Sequence, residues 1–337
     1  MVHTPPAHGP TSRKYVSRVR AIVPSSWNSL PRESRVGTTS DRLGFLHYRK
    51  RCRHCRILRI VLLNRTMLVL AVANQKGGCG KTTIARELSA CLALRGYRVL
   101  VIDADPQGNL TSSWVDLDAN SVTLAHVLIA PDRTGAIQPD PLELVDAIAE
   151  TPLEGLDLVP TDIRLARFEK APAHAVPRLA AQIRLHAGSY DFVMIDCPPQ
   201  LGVLLTAALY AAEWVLVPCK ADAMGLSGLT DLAETVREIR RDVNPELKML
   251  GAVVNLYKPQ RNLSAEARAA IEEATSLVGH VFETNVHDYS KIAEAPSQRE
   301  PVLTYAPSHR ASDQLTSLTD EVLDTLRTPR QRIAAVK

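Results

Sequence analysis

The sequence predicts an α/β fold, a mostly parallel sheet with helices on both faces, and three observations predict it. Short apolar runs recur along the chain and end in loop residues, as strands buried on both faces require. Stretches with apolar residues at helical spacing separate them. Aromatic residues make up only 4% of a chain that is 45% hydrophobic. Most apolar area therefore comes from Ala, Val, Leu and Ile, which suit helices packed on a sheet better than a sandwich.

Taken in order, the predicted strands are Met67–Ala73, Arg98–Ile102, Leu156–Pro160, Asp191–Ile195, Trp214–Pro218 and Leu250–Val254. The first predicted helix, Thr83–Arg95, has apolar residues at Ile84, Leu88, Cys91, Leu92 and Leu94 and stops at Gly96. Further helices are predicted at Leu142–Ala149, Val176–His186, Val203–Ala212, Leu226–Arg241, Ser264–Leu277 and Ser312–Arg327. There is no internal repeat. Right-handed crossovers would place these helices on both faces of one sheet, so residues 67–337 are read as one domain.

Charge divides the chain at the same place. Residues 1–66 carry 14 Lys/Arg against Glu33 and Asp41, a net of +12; the overall +4 leaves −8 for the rest. This stretch is rich in Pro, Ser, Arg and His and has no period before Ile57–Leu63. It reads either as a disordered basic arm that touches nucleic acid electrostatically or as a segment preceding a true start at Met67. Cys52 and Cys55, with His54 and His47, have zinc-ligand chemistry, but one CxxC without a second pair argues against a metal site. Ile57–Leu63 comes too late for a signal peptide, and no apolar run approaches the roughly 18 residues of a membrane span. Six scattered cysteines suit reduced thiols in a cytoplasmic protein.

The chemistry starts after the first strand, at Asn74-Gln75-Lys76-Gly77-Gly78-Cys79-Gly80-Lys81-Thr82-Thr83. Gly77, Gly78 and Gly80 clear side chains from a loop whose backbone N–H groups can approach phosphate oxygens. The helix that follows adds its positive N-terminal end. In such a phosphate loop Lys81 reaches the β- and γ-phosphates and the Thr82 hydroxyl ligates Mg²⁺. A strand before and a helix after the glycines is the context that separates this motif from a ligand-free glycine turn.

Two further carboxylate motifs reach the same edge of the predicted sheet. Val101-Ile102-Asp103-Ala104-Asp105-Pro106-Gln107-Gly108-Asn109 ends the second strand, and positions i and i+2 share a face. Asp191-Phe192-Val193-Met194-Ile195-Asp196-Cys197-Pro198-Pro199 is an apolar strand ending in a carboxylate, the usual Mg²⁺-side acid. Cys197 reads as a packed thiol. Val253-Val254-Asn255 closes a late strand, and Glu294-Ala295-Pro296-Ser297 lies near the end.

The Lys-Gly-Gly-x-Gly-Lys-Thr-Thr loop departs from the common pattern in having Gln75-Lys76 where the first Gly is expected. In this it resembles the deviant Walker A ATPases, which include ParA partition ATPases, MinD and the nitrogenase iron protein. Asp-x-Asp-Pro-Gln-Gly-Asn, Asp-Cys-Pro-Pro and Glu-Ala-Pro-Ser are similar to ParA motifs in the same order, and the resemblance covers Met67 to about Leu326. It implies an ATP- and Mg²⁺-dependent ATPase that dimerises on ATP. By the same resemblance, Lys76 crosses to the partner's phosphates, Asp105 positions the attacking water, Asp103 supports the Mg²⁺ shell and Asn255 contacts adenine. Lys76, Lys81 and Asp105 are then the catalytic set. Gly77, Gly78, Cys79, Gly80, Lys81, Thr82, Thr83 and Asn255 hold nucleotide, and Thr82, Asp103 and Asp196 serve the metal.

ParA membership further implies non-specific DNA binding, association with the nucleoid and stimulation by a ParB-like partner. A nitrogenase-type reductase needs a cluster cysteine after each switch, and residues 106–116 have none. A MinD-like regulator needs an amphipathic membrane helix, and the tail Thr328–Lys337 has too little apolar face for one. An ATPase that positions another cargo, such as a transfer, secretion or chemoreceptor complex, stays open. With the core at −8, DNA contact requires a local patch, for which Lys258, Arg261, Arg268, Lys291 and Arg310 are the candidates. His287 and Lys291 stand where the family commonly has arginine.

Overall fold

The computed structural model describes residues 67–129, 142–222 and 225–327. The basic stretch with Cys52 and Cys55, and the tail from 328 onward, lie outside the described residues.

Among the described residues eight strands build one sheet: β1 Leu68–Val72, β2 Val99–Asp103, β3 Ala149–Glu150, β4 Leu156–Val159, β5 Phe192–Asp196, β6 Trp214–Lys220, β7 Lys248–Tyr257 and β8 Val286–His287. Their order is β3-β4-β2-β5-β1-β6-β7-β8. Every neighbouring pair is parallel except β3 with β4. The longer helices are α1 Lys81–Leu94, α2 Arg178–His186, α3 Val203–Ala211, α4 Gly225–Asp242, α5 Asn262–Glu273 and α6 Arg310–Leu326.

Strand alternation sorts the core into two layers. Val69, Ala71 and Ala73 face one cluster with Leu179, Ile183, Leu205, Leu209, Leu232 and Val236, which come from α2, α3 and α4. Leu68, Leu70 and Val72 face the other, with Ile84, Leu88 and Leu92 of α1 and Leu315, Leu318 and Val322 of α6. Fully burying one such side chain is worth about 1.5–3 kcal/mol, so both layers hold the sheet. The predicted parallel sheet with helices on both faces is what forms.

A buried charge network anchors α1 to the end of the domain. Arg86 pairs with Glu87, its guanidinium lies 4.4 Å over the Trp114 ring, and it donates to the Glu300 carbonyl at 2.7 Å. Glu87 accepts from the Val302 N–H at 2.9 Å. Burial pulls Arg86 down and pushes Glu87 up, and the pair offsets part of both costs. Removing one partner of such a buried pair costs about 3–5 kcal/mol.

Three elements differ from expectation. The helix predicted over Leu142–Ala149 is a 3₁₀ turn, Leu144–Ala147, and its last residue begins the antiparallel strand β3. The helix predicted over Ser264–Leu277 divides at Ala274 into α5 and the short helix Thr275–Val278. Strand β7 is longer than predicted and carries a register shift opposite Val215/Leu216, where Gly251 lies within close reach of Phe282 and His280.

Candidate functional site

The carboxyl ends of β1, β2, β5 and β6 are adjacent, so their loops meet along one edge of the sheet. The loop between β1 and α1 is pinned at its start. Asn74 Nδ2 donates to the Pro218 carbonyl at 2.7 Å, and Asn74 Oδ1 accepts from the Lys76 N–H at 3.0 Å. Gln75 Nε2 donates to Thr235 Oγ1 of α4 at 3.0 Å. Helix α4 comes so close that a Cβ on Gly228 would sit 2.6 Å from Asn74 Oδ1, which only glycine avoids.

The middle of the loop faces open space: a Cβ on Gly77 or Gly78 would meet nothing within 4 Å. Gly80 takes the left-handed conformation at φ 85° and caps α1 with no side chain. The first turn of α1 holds no acidic residue. Its unpaired N–H groups and positive end are left for an anion. Lys81 is buried and donates to the Lys76 carbonyl at 3.2 Å, which Cys79 Sγ also approaches. Asn255 turns its amide onto this loop, donating to the Cys79 carbonyl at 2.8 Å, and a Cβ on Gly80 would collide with it.

The carboxylates of the two motifs lie on adjacent strands at this edge. Asp103 and Asp196 are register partners on adjacent parallel strands, and both are buried. Asp103 is already engaged: Oδ2 accepts from the Thr111 N–H at 2.8 Å and its hydroxyl at 2.7 Å, and Oδ1 accepts from the Asp105 N–H at 3.2 Å. Burial pushes its carboxyl up to about 7, and those hydrogen bonds hold it from rising further. Neither oxygen of Asp196 has a hydrogen-bond partner. Burial raises its carboxyl well above the usual carboxylate range and the Asp103 charge adds to that, with Thr82 and Lys81 offsetting part. Asp105 is half-exposed, and its Oδ1 accepts only from the Gln107 N–H, at 3.0 Å. Cys197 is a fully buried thiol, pushed well up by burial.

An uncapped helix start, an open glycine rim and a buried carboxylate with two unpartnered oxygens fit a triphosphate with a divalent cation. No cluster of three or more His, Cys, Asp or Glu is arranged as a metal cage among the described residues.

Three site residues escaped the sequence reading. Asp222 binds Lys76 Nζ at 2.7 Å. Thr111 orients Asp103. Glu169 caps α3 through the N–H groups of Val203 at 2.7 Å and Leu204 at 3.3 Å. Thr111 was findable as the first-turn hydroxyl after Gly108-Asn109; the other two had no local signal. Of the proposed DNA-facing residues, Lys258, Arg268 and Lys291 are ion-paired with Asp288, Glu272 and Glu294, each at 2.7 Å. Arg261 and Arg310 have no ion pair among the described residues.

Residues 67–249 match the AAA domain family. The chain is 33% identical to the sporulation initiation inhibitor protein Soj of Bacillus subtilis, over 75% of this chain and 97% of that one. It is 36% identical to the chromosome partitioning protein ParA of Caulobacter vibrioides, over 77% and 95%. It is similar in structure to cobyrinic acid a,c-diamide synthase from Mycobacterium smegmatis with bound ATP analogue and magnesium. There the TM-score is 0.65 at 29% identity, over 79% of this chain and 97% of that one. With its lysine-led phosphate loop and both switch motifs on one sheet edge, the chain belongs to the ParA/Soj family of P-loop ATPases.

Proposed function

We propose that the protein is a partition ATPase that dimerises on binding ATP, holds DNA without sequence preference, and hydrolyses ATP when a ParB-like partner stimulates it. The observation that carries this reading is the leading lysine, Lys76, on a loop whose glycine rim is open while its start is pinned to β6 and α4. The domain is assigned to residues 67–337, with 1–66 as a basic extension, because the relatives match about three-quarters of this chain and nearly all of their own.

In this reading the N–H groups of Gly77 to Thr83 and the Lys81 ammonium bind the phosphates, and Asn255 braces the loop beside the base. Thr82 and Asp196 would hold the cation, with Asp103 fixed beside them by its bonds to Thr111. Bound Mg²⁺–ATP supplies the γ-phosphoryl group and the positive charge that screens it. Asp105 orients water, and Lys76 of each protomer neutralises charge on the other's phosphates.

Replacing Lys76 by alanine is expected to leave nucleotide binding by the monomer largely intact, since Lys81 and the loop amides remain. It is expected to abolish the ATP-dependent dimer, as sedimentation velocity would show; a normal dimer would remove Lys76 from this role.

DNA contact in this reading uses Arg261 and Arg310 together with lysines that exchange their acidic partners for phosphate. Affinity for duplexes of any sequence is then expected to fall steeply and linearly as log salt rises. A preference above about a hundredfold for one sequence would indicate base readout instead. No described helix is long and apolar enough to cross a membrane. The proposed location is the cytoplasm, on the nucleoid.

A further inference from the structure

Lys76, the group that the proposed function sends to the partner, is held inside its own protomer. Its ammonium lies 2.7 Å from Asp222 Oδ1, and Lys220 Nζ lies 3.1 Å from Asp222 Oδ2. The Lys76 and Asp222 side chains are 19% and 26% exposed, so the contact is partly desolvated. Asp222 follows β6, whose last residue is Lys220, and this strand is also the one that accepts the Asn74 anchor through Pro218. One carboxylate therefore faces two ammonium groups, one from each side of the loop edge.

The backbone of Lys76 has little freedom to contribute to any change of partner. Its N–H is bound by Asn74, and a Cβ on Gly228 would stand only 3.1 Å from Lys76 Cβ. What can move is the flexible four-carbon stem.

We infer that Asp222 is a positioning residue that latches Lys76 in cis, and that Lys220 keeps the carboxylate paired when Lys76 leaves for the partner's phosphates. The inference rests on the reading of Lys76 as a residue that acts in trans. The latch has a direct energetic meaning. A protomer reaches its dimer-competent form only after the Lys76–Asp222 pair opens, so the apparent dimer affinity is lowered by the fraction of protomers still latched. Because Lys220 stays on Asp222, opening does not strand a bare carboxylate near facing triphosphates, where like charge would oppose assembly. The same arrangement keeps Lys76 away from a cis nucleotide, where a second lysine would bind phosphate without contributing to association.

A partly buried ion pair of this kind is worth roughly a fivefold bias, and two open per dimer. Asp222→Asn is therefore expected to tighten the ATP-dependent dimer by roughly twenty-five-fold in sedimentation equilibrium. Basal turnover at low protein concentration should rise with it. A second measurement reads the latch without any dimer. The nucleotide-free protein is acetylated with a limiting dose of acetic anhydride and the Lys76 peptide is quantified by mass spectrometry, with remote Lys248 as the internal reference. Asp222→Asn is expected to raise Lys76 labelling roughly fivefold relative to Lys248. Unchanged labelling, or a dimer weakened by the substitution, would overturn the latch. If the wild-type chain stayed monomeric with ATP, the trans role of Lys76 would fall, while the labelling result would still decide whether Asp222 holds it.

Discussion

Replacing Asp105 by alanine is expected to slow ATP turnover by roughly 10²- to 10⁴-fold while leaving ATP binding and dimerisation in place. The two switch aspartates differ in what they have free. Asp103 is buried, and both its oxygens already accept hydrogen bonds, from Thr111 and from the Asp105 N–H. Asp105 is half-exposed at the start of the loop, and its hydrogen bond to Gln107 occupies one oxygen. A carboxylate with a lone pair facing solvent can hold a water; one saturated by its neighbours can only orient what touches it. The variant should accumulate long-lived ATP dimers that stay on DNA. The check is steady-state turnover paired with dimer lifetime after ATP is withdrawn. Loss of ATP binding would show instead that Asp105 serves the cation and that the two roles are exchanged.

Asp196→Asn is expected to do two opposite things: stabilise the nucleotide-free protein and abolish Mg²⁺-dependent turnover. Both oxygens of Asp196 are buried without a hydrogen-bond partner, beside Asp103. Its carboxyl is raised well above the ordinary value of 3.8, by burial first and the Asp103 charge second. A group that binds its proton more tightly in the folded than in the unfolded chain favours folding at low pH. That contribution fades as pH climbs from the ordinary carboxylate value through the raised one. The nucleotide-free protein should therefore melt at progressively lower temperature as pH rises above the ordinary carboxylate range, and the asparagine variant should lessen this slope, leaving the part that Asp103, raised to about 7, contributes. An unsatisfied buried group costs about 1–3 kcal/mol, and in a domain of this size each kcal/mol moves Tm by about 2–4 °C. Asparagine leaves an amide in the same unpartnered place but no charge to desolvate, so the expected result at pH 8 is a higher Tm than the wild-type chain. Scanning calorimetry with and without Mg²⁺–ATP measures both effects. A variant that melts lower at pH 8 would mean that Asp196 is paired in solution.

What the sequence made legible follows from how each signal is written. Strands β1, β2 and β5 are buried at every position, so each appears as an unbroken apolar run that needs no partner to be seen. The glycine loop and the aspartate pair are equally local, and their meeting follows from the parallel order of the strands that carry them. Short elements leave no such trace. The two-residue strand β3 is too brief for a period, and a helical reading of Leu142–Ala149 overrode it, while the 3₁₀ stretch Ile163–Lys170 has no counterpart among the predicted elements. Pairings across the fold are the least visible. Lys76 and Asp222 are 146 positions apart, and Gln75 and Thr235 are 160. Nothing at either end announces the other.

Among the described residues the sheet ends on both sides in two-residue strands, β3 and β8, and β3 runs antiparallel to its neighbour. Such stubs offer an incoming chain almost no ladder of free N–H and C=O groups to extend. In the proposed reading the protein gathers at high local density along DNA and meets many copies of itself there. With its borders blunted, crowding cannot recruit those copies into a continuous intermolecular β-ribbon. In that reading self-association is left to the nucleotide-bearing surface, where ATP would make it reversible.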